Sequence, residues 1–126
     1  MLRLVVPLLV VVLTFISSAT AEDARLLRFP DISDQQVCFV WAGDVYIAPR
    51  DGGQAVRLTS HQGLELFPRF SPDGGSIAYT AQYDGPFAVY MMPVTGGTPK
   101  RLTYHPGVPI RSERMGPDNV VMDWHP

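Results

Sequence analysis

Apolar residues in this chain gather in short runs bounded by glycine, proline and aspartate. Val37-Cys38-Phe39-Val40 and Phe87-Ala88-Val89-Tyr90-Met91-Met92 are apolar at consecutive positions rather than at helical spacing. Runs this short, flanked by turn residues, read as strands covered on both faces. The pattern predicts strands over residues 26–32, 36–41, 45–48 and 54–59, and again over 66–70, 76–81, 87–92 and 99–104. Reversals are predicted at Ser33-Asp34-Gln35, Ala42-Gly43-Asp44 and Asp51-Gly52-Gly53, then at Ser71-Pro72-Asp73-Gly74, Tyr83-Asp84-Gly85-Pro86 and Thr95-Gly96-Gly97. Pro72 pre-sets φ for its turn, and glycine takes the left-handed positions without a steric penalty.

The two sets of strands are copies of one another. Arg57-Leu58-Thr59-Ser60-His61-Gln62-Gly63 returns as Arg101-Leu102-Thr103-Tyr104-His105-Pro106-Gly107, a period of 44 residues from Gly63 to Gly107. The match extends back through Gly52-Gly53 with Gly96-Gly97, Pro49 with Pro93, and Val45-Tyr46 with Val89-Tyr90. Self-similarity at this period marks a β-propeller, in which each repeat is one four-stranded blade. The fold class is therefore all-β: a propeller fragment of two four-stranded antiparallel blades plus the first strand of a third. Blade 1 spans 22–64 and blade 2 spans 65–107. Residues 108–126 hold a connection and an inner strand at 120–124 of a truncated third blade. Propellers close with about 4–8 blades, so the chain is expected to be the front of a longer protein and to be poorly stable alone, its sheet faces lacking neighbours.

Composition adds a compartment. Arg3 precedes an apolar run over 4–16, and Ser17-Ser18-Ala19-Thr20-Ala21 ends in A-x-A spacing. That layout is a secretory signal peptide over 1–21, cut after Ala21, and it predicts a periplasmic or secreted protein. An uncleaved anchor is disfavoured because the run falls short of the roughly 20 residues that span a bilayer. Removing the leader takes the net charge from −2 to −3, with acids and bases interspersed. No basic stripe suggests nucleic acid, and the mature form is expected to have no membrane association. Cys38, the single cysteine, reads as a small buried hydrophobe.

Residues with chemical potential all have a structural explanation. His61 and His105 sit at equivalent repeat positions, which suits a recurring hydrogen-bonding role, and with His125 they lack paired metal-ligand spacing. Ser71 and Asp73 belong to a tight turn and not to a G-x-S-x-G elbow. Asp44, Asp51, Asp73 and Asp84 adjoin turn glycines without the D-x-D-x-D-G calcium spacing. Tyr46, Tyr79, Tyr90 and Trp41 lie in strands, where inter-blade packing accounts for them. Arg57 and Arg101 read as hydrogen-bond donors on the blade surface. The Gly-Gly pairs are hairpins, since no helix follows to make a phosphate loop. No catalytic, cofactor-binding or metal-binding residue is assigned, and no cofactor is expected.

Several motifs together resemble one family. They are Leu26-Leu27-Arg28-Phe29-Pro30-Asp31, Gly43-Asp44-Val45-Tyr46, the Arg57-Leu58-Thr59-Ser60-His61 segment, Phe70-Ser71-Pro72-Asp73-Gly74, Tyr83-Asp84-Gly85 and Gly116-Pro117-Asp118-Asn119. Across residues 25–126 the chain resembles the N-terminal propeller of bacterial tricorn-protease homologues, within the wider WD-like repeat group that includes TolB. The resemblance implies a large serine peptidase whose propellers admit and guide peptides or unfolded polypeptide, while a distant C-terminal core carries the nucleophile. None of that core is matched here, so whether the chain itself counts as an enzyme stays open, as does homo-oligomerisation. Two other readings stand beside it: a TolB-like periplasmic propeller that binds proteins without catalysis, and a propeller attached to an amidohydrolase.

Overall fold

The computed structural model describes residues 26–104 and 119–125. The predicted leader, His105, Gly107 and most of the Gly116–Asn119 loop lie outside the described residues. Eight strands form two separate antiparallel meanders, ordered β1-β2-β3-β4 and β5-β6-β7-β8. The first holds β1 (Arg28–Ile32), β2 (Gln36–Trp41), β3 (Asp44–Pro49) and β4 (Val56–Arg57). The second holds β5 (Glu65–Phe70), β6 (Ser76–Ala81), β7 (Ala88–Pro93) and β8 (Lys100–Arg101). The eight strands expected of the two blades are all present, and the β2 and β6 ranges agree with the pattern at both ends.

The repeat is more regular in space than in sequence. Equivalent positions are 44 residues apart in β3 and β4, but 40 apart in β2 (Gln36 to Ser76) and 38 apart in β1 (Phe29 to Phe67). Longer turns in the second sheet absorb the difference. Residues 71–75 replace 33–35, and residues 82–87 replace 42–43. Aligning the inner strands this way exposes a motif that a fixed period of 44 conceals. Phe29-Pro30 and Phe67-Pro68 are the same element, each a β-bulge where the register slips by one residue. Both phenylalanines take left-handed backbone angles, φ 53° and 54°. Such values are outliers for bulky residues, and each is followed by a proline that could not have donated to the ladder anyway. The two rings meet with centroids 4.3 Å apart.

The outer strands are shorter than the pattern predicts, at two residues each instead of six. Past Arg57 the ladder gives way to a backbone bond from Leu58 and two side-chain bonds. Leu58 N–H donates to the Val45 carbonyl at 2.8 Å, and the Thr59 hydroxyl accepts from Val45 N–H at 2.8 Å. Arg57 Nε then donates to the Thr59 carbonyl at 2.8 Å. The second sheet repeats all three contacts, with Leu102 to Val89 at 2.8 Å, Val89 to Thr103 at 2.9 Å and Arg101 to Thr103 at 2.7 Å. The recurrent Arg-Leu-Thr is thus a clamp that finishes each outer strand.

Sheet stacks on sheet through unlike faces. Cys38, Val40, Val45 and Ile47 of the first sheet pack against Ile77, Tyr79, Ala81, Ala88, Tyr90 and Met92 of the second. By the repeat alignment, the first sheet's counterparts of Tyr79 and Tyr90 are Phe39 and Tyr46. These point away from the second sheet, stacked on each other at 5.9 Å with Trp41 edge-on at 5.5 Å. The same operation therefore relates each aromatic face to the aliphatic face of its neighbour. Residues 119–125 lie along the opposite face of the second sheet. Asn119 Nδ2 donates to the Phe87 carbonyl at 2.8 Å, and Val121 N–H to the Thr80 hydroxyl at 3.2 Å. Trp124 Nε1 donates to the Arg69 carbonyl at 3.1 Å. The segment expected as a third inner strand occupies that place without a ladder, because no second strand among the described residues pairs with it.

Candidate functional site: the seam between the sheets

Titratable groups converge where the chain crosses from one sheet to the next. Glu65, the first residue of β5, has no exposed surface. Its backbone N–H donates to the Gly43 carbonyl at 2.9 Å, which fixes the carboxyl inside the seam. The Thr59 hydroxyl accepts from Val45 and gives its own proton to Glu65 Oε2 at 2.8 Å. Thr59 is therefore a relay linking the β3 backbone of one sheet to a side chain of the next. Glu65 Oε1 finds no hydrogen-bond partner among the described residues. Burial pushes the Glu65 carboxyl up to about 7, with the Thr59 and Tyr83 hydroxyls opposing that rise.

The surrounding groups are arranged in a shell. Asp44 pairs with Arg57 at 2.7 Å, and the hydrogen bond to Asp44 pushes the guanidinium further up from its ordinary value. The second sheet has Ala88 at the Asp44 position, so there Arg101 lies over the Tyr104 ring instead, 5.2 Å from its centroid. On the other side of Glu65, the Tyr83 hydroxyl donates to Tyr79 at 3.1 Å, and Tyr79 donates to the Met92 sulfur at 3.7 Å. Burial pushes Tyr79 up to about 12, and pushes Tyr83 up as well. The Tyr83 ring is held between His61 at 4.2 Å and Tyr90 at 4.7 Å. His61, expected as a hydrogen-bonding residue, makes a ring contact instead.

The remaining candidates of the sequence are spent on turns or core. Ser71 Oγ accepts from Ser76 N–H at 2.9 Å and donates to Asp73 at 2.5 Å, while Asp73 also accepts from Gly75 N–H at 3.0 Å. Ser33 makes the matching turn in the first sheet, accepting from Gln36 N–H at 3.0 Å. Cys38 has no exposed surface, and its thiol is pushed up to about 12 first by burial and then by the nearby Asp31. Among the described residues no group of three or more His, Cys, Asp or Glu side chains is placed to hold a metal ion. Three concavities open beside the sheets: one of about 410 Å³ at Thr59, His61 and Tyr83, an apolar groove of about 360 Å³ between Phe29, Trp41 and Leu64, and a polar one of about 650 Å³ between the Ser33 and Ser71 turns.

Glu65 escaped the sequence reading because a single acid at a strand start has no periodic partner. The signal that marks it is the glycine before it. A Cβ on Gly63 would lie 2.1 Å from the Gln82 carbonyl oxygen, so the crossing must run against the second sheet.

Two unclosed antiparallel meanders, stacked by one repeated operation and clamped by a repeated motif, define a β-propeller blade protein. The model of the tricorn protease N-terminal beta propeller domain matches residues 24–126, and the chain belongs to that family. It is 44% identical over 78 residues to tricorn protease homolog 1 of Streptomyces coelicolor, covering 62% of this chain and 7% of that protein. It is 43% identical over 86 residues to tricorn protease homolog 2 of the same organism, covering 68% and 7%. A crystal structure of the tricorn protease superposes with a TM-score of 0.57 at 29% identity, over 63% of this chain and 8% of that one. The chain thus spans about 7% of the length of the curated Streptomyces relatives it matches.

Proposed function

We propose that this chain supplies blades of a non-catalytic, substrate-facing propeller in an exported tricorn-like serine peptidase. The blades form part of a wall that admits extended peptides and excludes folded proteins, and hydrolysis takes place in another part of the protein. What carries the reading, beyond family membership, is the stacking by unlike faces. It leaves Phe39, Trp41 and Tyr46 presented as an aromatic face suited to the aliphatic face of a further blade. Supporting it, the Ser71 hydroxyl and the Thr59 hydroxyl are committed to turn and seam bonds.

The test compares the complete natural reading frame with a variant lacking residues 24–126. The intact protein is expected to cleave unfolded peptides and spare folded ones, and the variant to lose that discrimination while still cutting short peptides. A complete protein that cleaves no peptide, or a variant with unchanged discrimination, overturns the reading. Export is tested separately by N-terminal sequencing of the periplasmic or secreted protein, with Glu22 expected as the first residue.

A further inference from the structure

The seam contains a device that the proposed function does not use and does not require. Beside the apolar packing between the sheets, one fully buried acid crosses the seam. Thr59 Oγ has a single proton, and that proton is given to Glu65 Oε2 while its lone pair holds Val45 N–H. The other carboxyl oxygen lies buried and makes no hydrogen bond among the described residues, although the Tyr83 hydroxyl lies near enough to favour the charged form. The groups around it are Asp44 from β3, Arg57 from β4, Tyr79 from β6, and Tyr83 from the β6–β7 connection. The one cation, Arg57, is committed to Asp44 at 2.7 Å and to the Thr59 carbonyl at 2.8 Å. The two tyrosines donate along their own chain toward Met92. An ionised Glu65 would therefore be a buried charge with the Thr59 bond and the nearby Tyr83 hydroxyl as its chief support, an arrangement that destabilises the state containing it.

We propose that Glu65 is a proton-operated latch in the seam between adjacent blades, closed while its buried carboxyl carries a proton and loosened when that proton leaves to solvent, because the cost of the buried charge then outweighs the Thr59 bond that favours it. The latch joins the β3 backbone of one blade to the β5 start of the next, so its release weakens the seam and leaves each sheet's own ladders intact. The direction follows from linkage. The folded-state carboxyl titrates near 7 and the unfolded one near its ordinary 4.5. Its stabilising contribution is then full below about 4.5, declines between the two values, and levels off above about 7. A protein exported to a compartment whose pH follows the surroundings would feel this window.

The experiment compares the complete natural protein with its Glu65→Gln variant and follows opening of the seam by hydrogen exchange of the Val45 N–H between about pH 5 and pH 8. The closing constant of the wild-type seam is expected to fall by on the order of 10²-fold more than that of the variant. Parallel slopes for the two proteins overturn the proposal. Should Glu65→Gln not fold, infrared spectroscopy of the wild type decides. A protonated carboxylic acid band at pH 6 that disappears with a midpoint near 7 upholds the latch, and its absence at pH 6 refutes it. Thr59→Val, which removes the donor to the ionised form, is expected to move that midpoint upward. An unmoved midpoint shows that the Thr59 bond does not favour the charged form and overturns the proposal.

Discussion

Replacing Gly63 by alanine sets two physical effects against each other, and the structure decides the sign. Gly63 does not occupy the left-handed region, so backbone entropy alone favours the substitution by about 0.4–1 kcal/mol. The tertiary environment opposes it. The new Cβ would lie 2.1 Å from the Gln82 carbonyl oxygen and 2.8 Å from the Gln82 carbonyl carbon. A normal carbon–oxygen contact requires a retreat of roughly 1 Å, and backbone atoms cannot rotate out of the way as a side chain can. The same strand end carries the Gln82 N–H to Leu64 carbonyl bond at 3.1 Å, so moving it also weakens a hydrogen bond worth about 1 kcal/mol. Overpacking of about 1–3 kcal/mol together with that bond outweighs the entropy gain, giving a net destabilisation of roughly 1–3.5 kcal/mol. Urea unfolding followed by Trp41 and Trp124 fluorescence measures it. Gly52→Ala is the control: φ is +99° with open space around it, so only the backbone penalty of about 1–2 kcal/mol applies. A Gly63→Ala variant as stable as the wild type would refute the close crossing and the seam built on it.

Three further outcomes are expected. Thr59→Val leaves both Val45 N–H and Glu65 Oε2 without their partner, whereas Thr103→Val orphans only Val89 N–H. In urea unfolding the first should therefore cost about 2–4 kcal/mol and the second about 1–2 kcal/mol. Cys38, buried and with its thiol pushed up to about 12, should react with a thiol reagent at pH 8 only as fast as the chain opens, measured by the dependence of labelling rate on urea. Ser71→Ala removes the hydroxyl donor that does most to hold the Asp73 carboxyl below its ordinary value. The Asp73 midpoint followed by carboxyl NMR should rise toward its ordinary value, and the acid-side stability that Asp73 confers should be lost at higher pH than in the wild type.

Much of this architecture was legible in the linear chain because turns and clamps act locally. Ser71-Pro72-Asp73-Gly74 closes on itself through bonds spanning two to five residues, so its letters suffice to recognise it. Arg-Leu-Thr recurs because each outer strand ends in the same short-range clamp. The strand ranges failed at the outer edges for the converse reason. Residues 58–59 and 102–103 look extended, yet opposite them Val45 and Val89 bond to threonine hydroxyls instead of continuing a ladder.

The seam was illegible for a different reason. Glu65, Thr59, Tyr83 and Tyr79 are unremarkable residues in sequence, and nothing in their order says that one carboxyl will lose all contact with solvent. The Phe29 and Phe67 bulges were likewise concealed, because turns of unequal length displace the inner strands from the 44-residue period. Sequence by itself determined what depends on neighbours along the chain: the all-β class, the repeat, the turns and the family. Tertiary structure alone decided which faces meet, which acid is buried and which glycine admits no side chain. Those depend on distances between sheets, and hydrophobic pattern records which residues leave water without recording what they meet there.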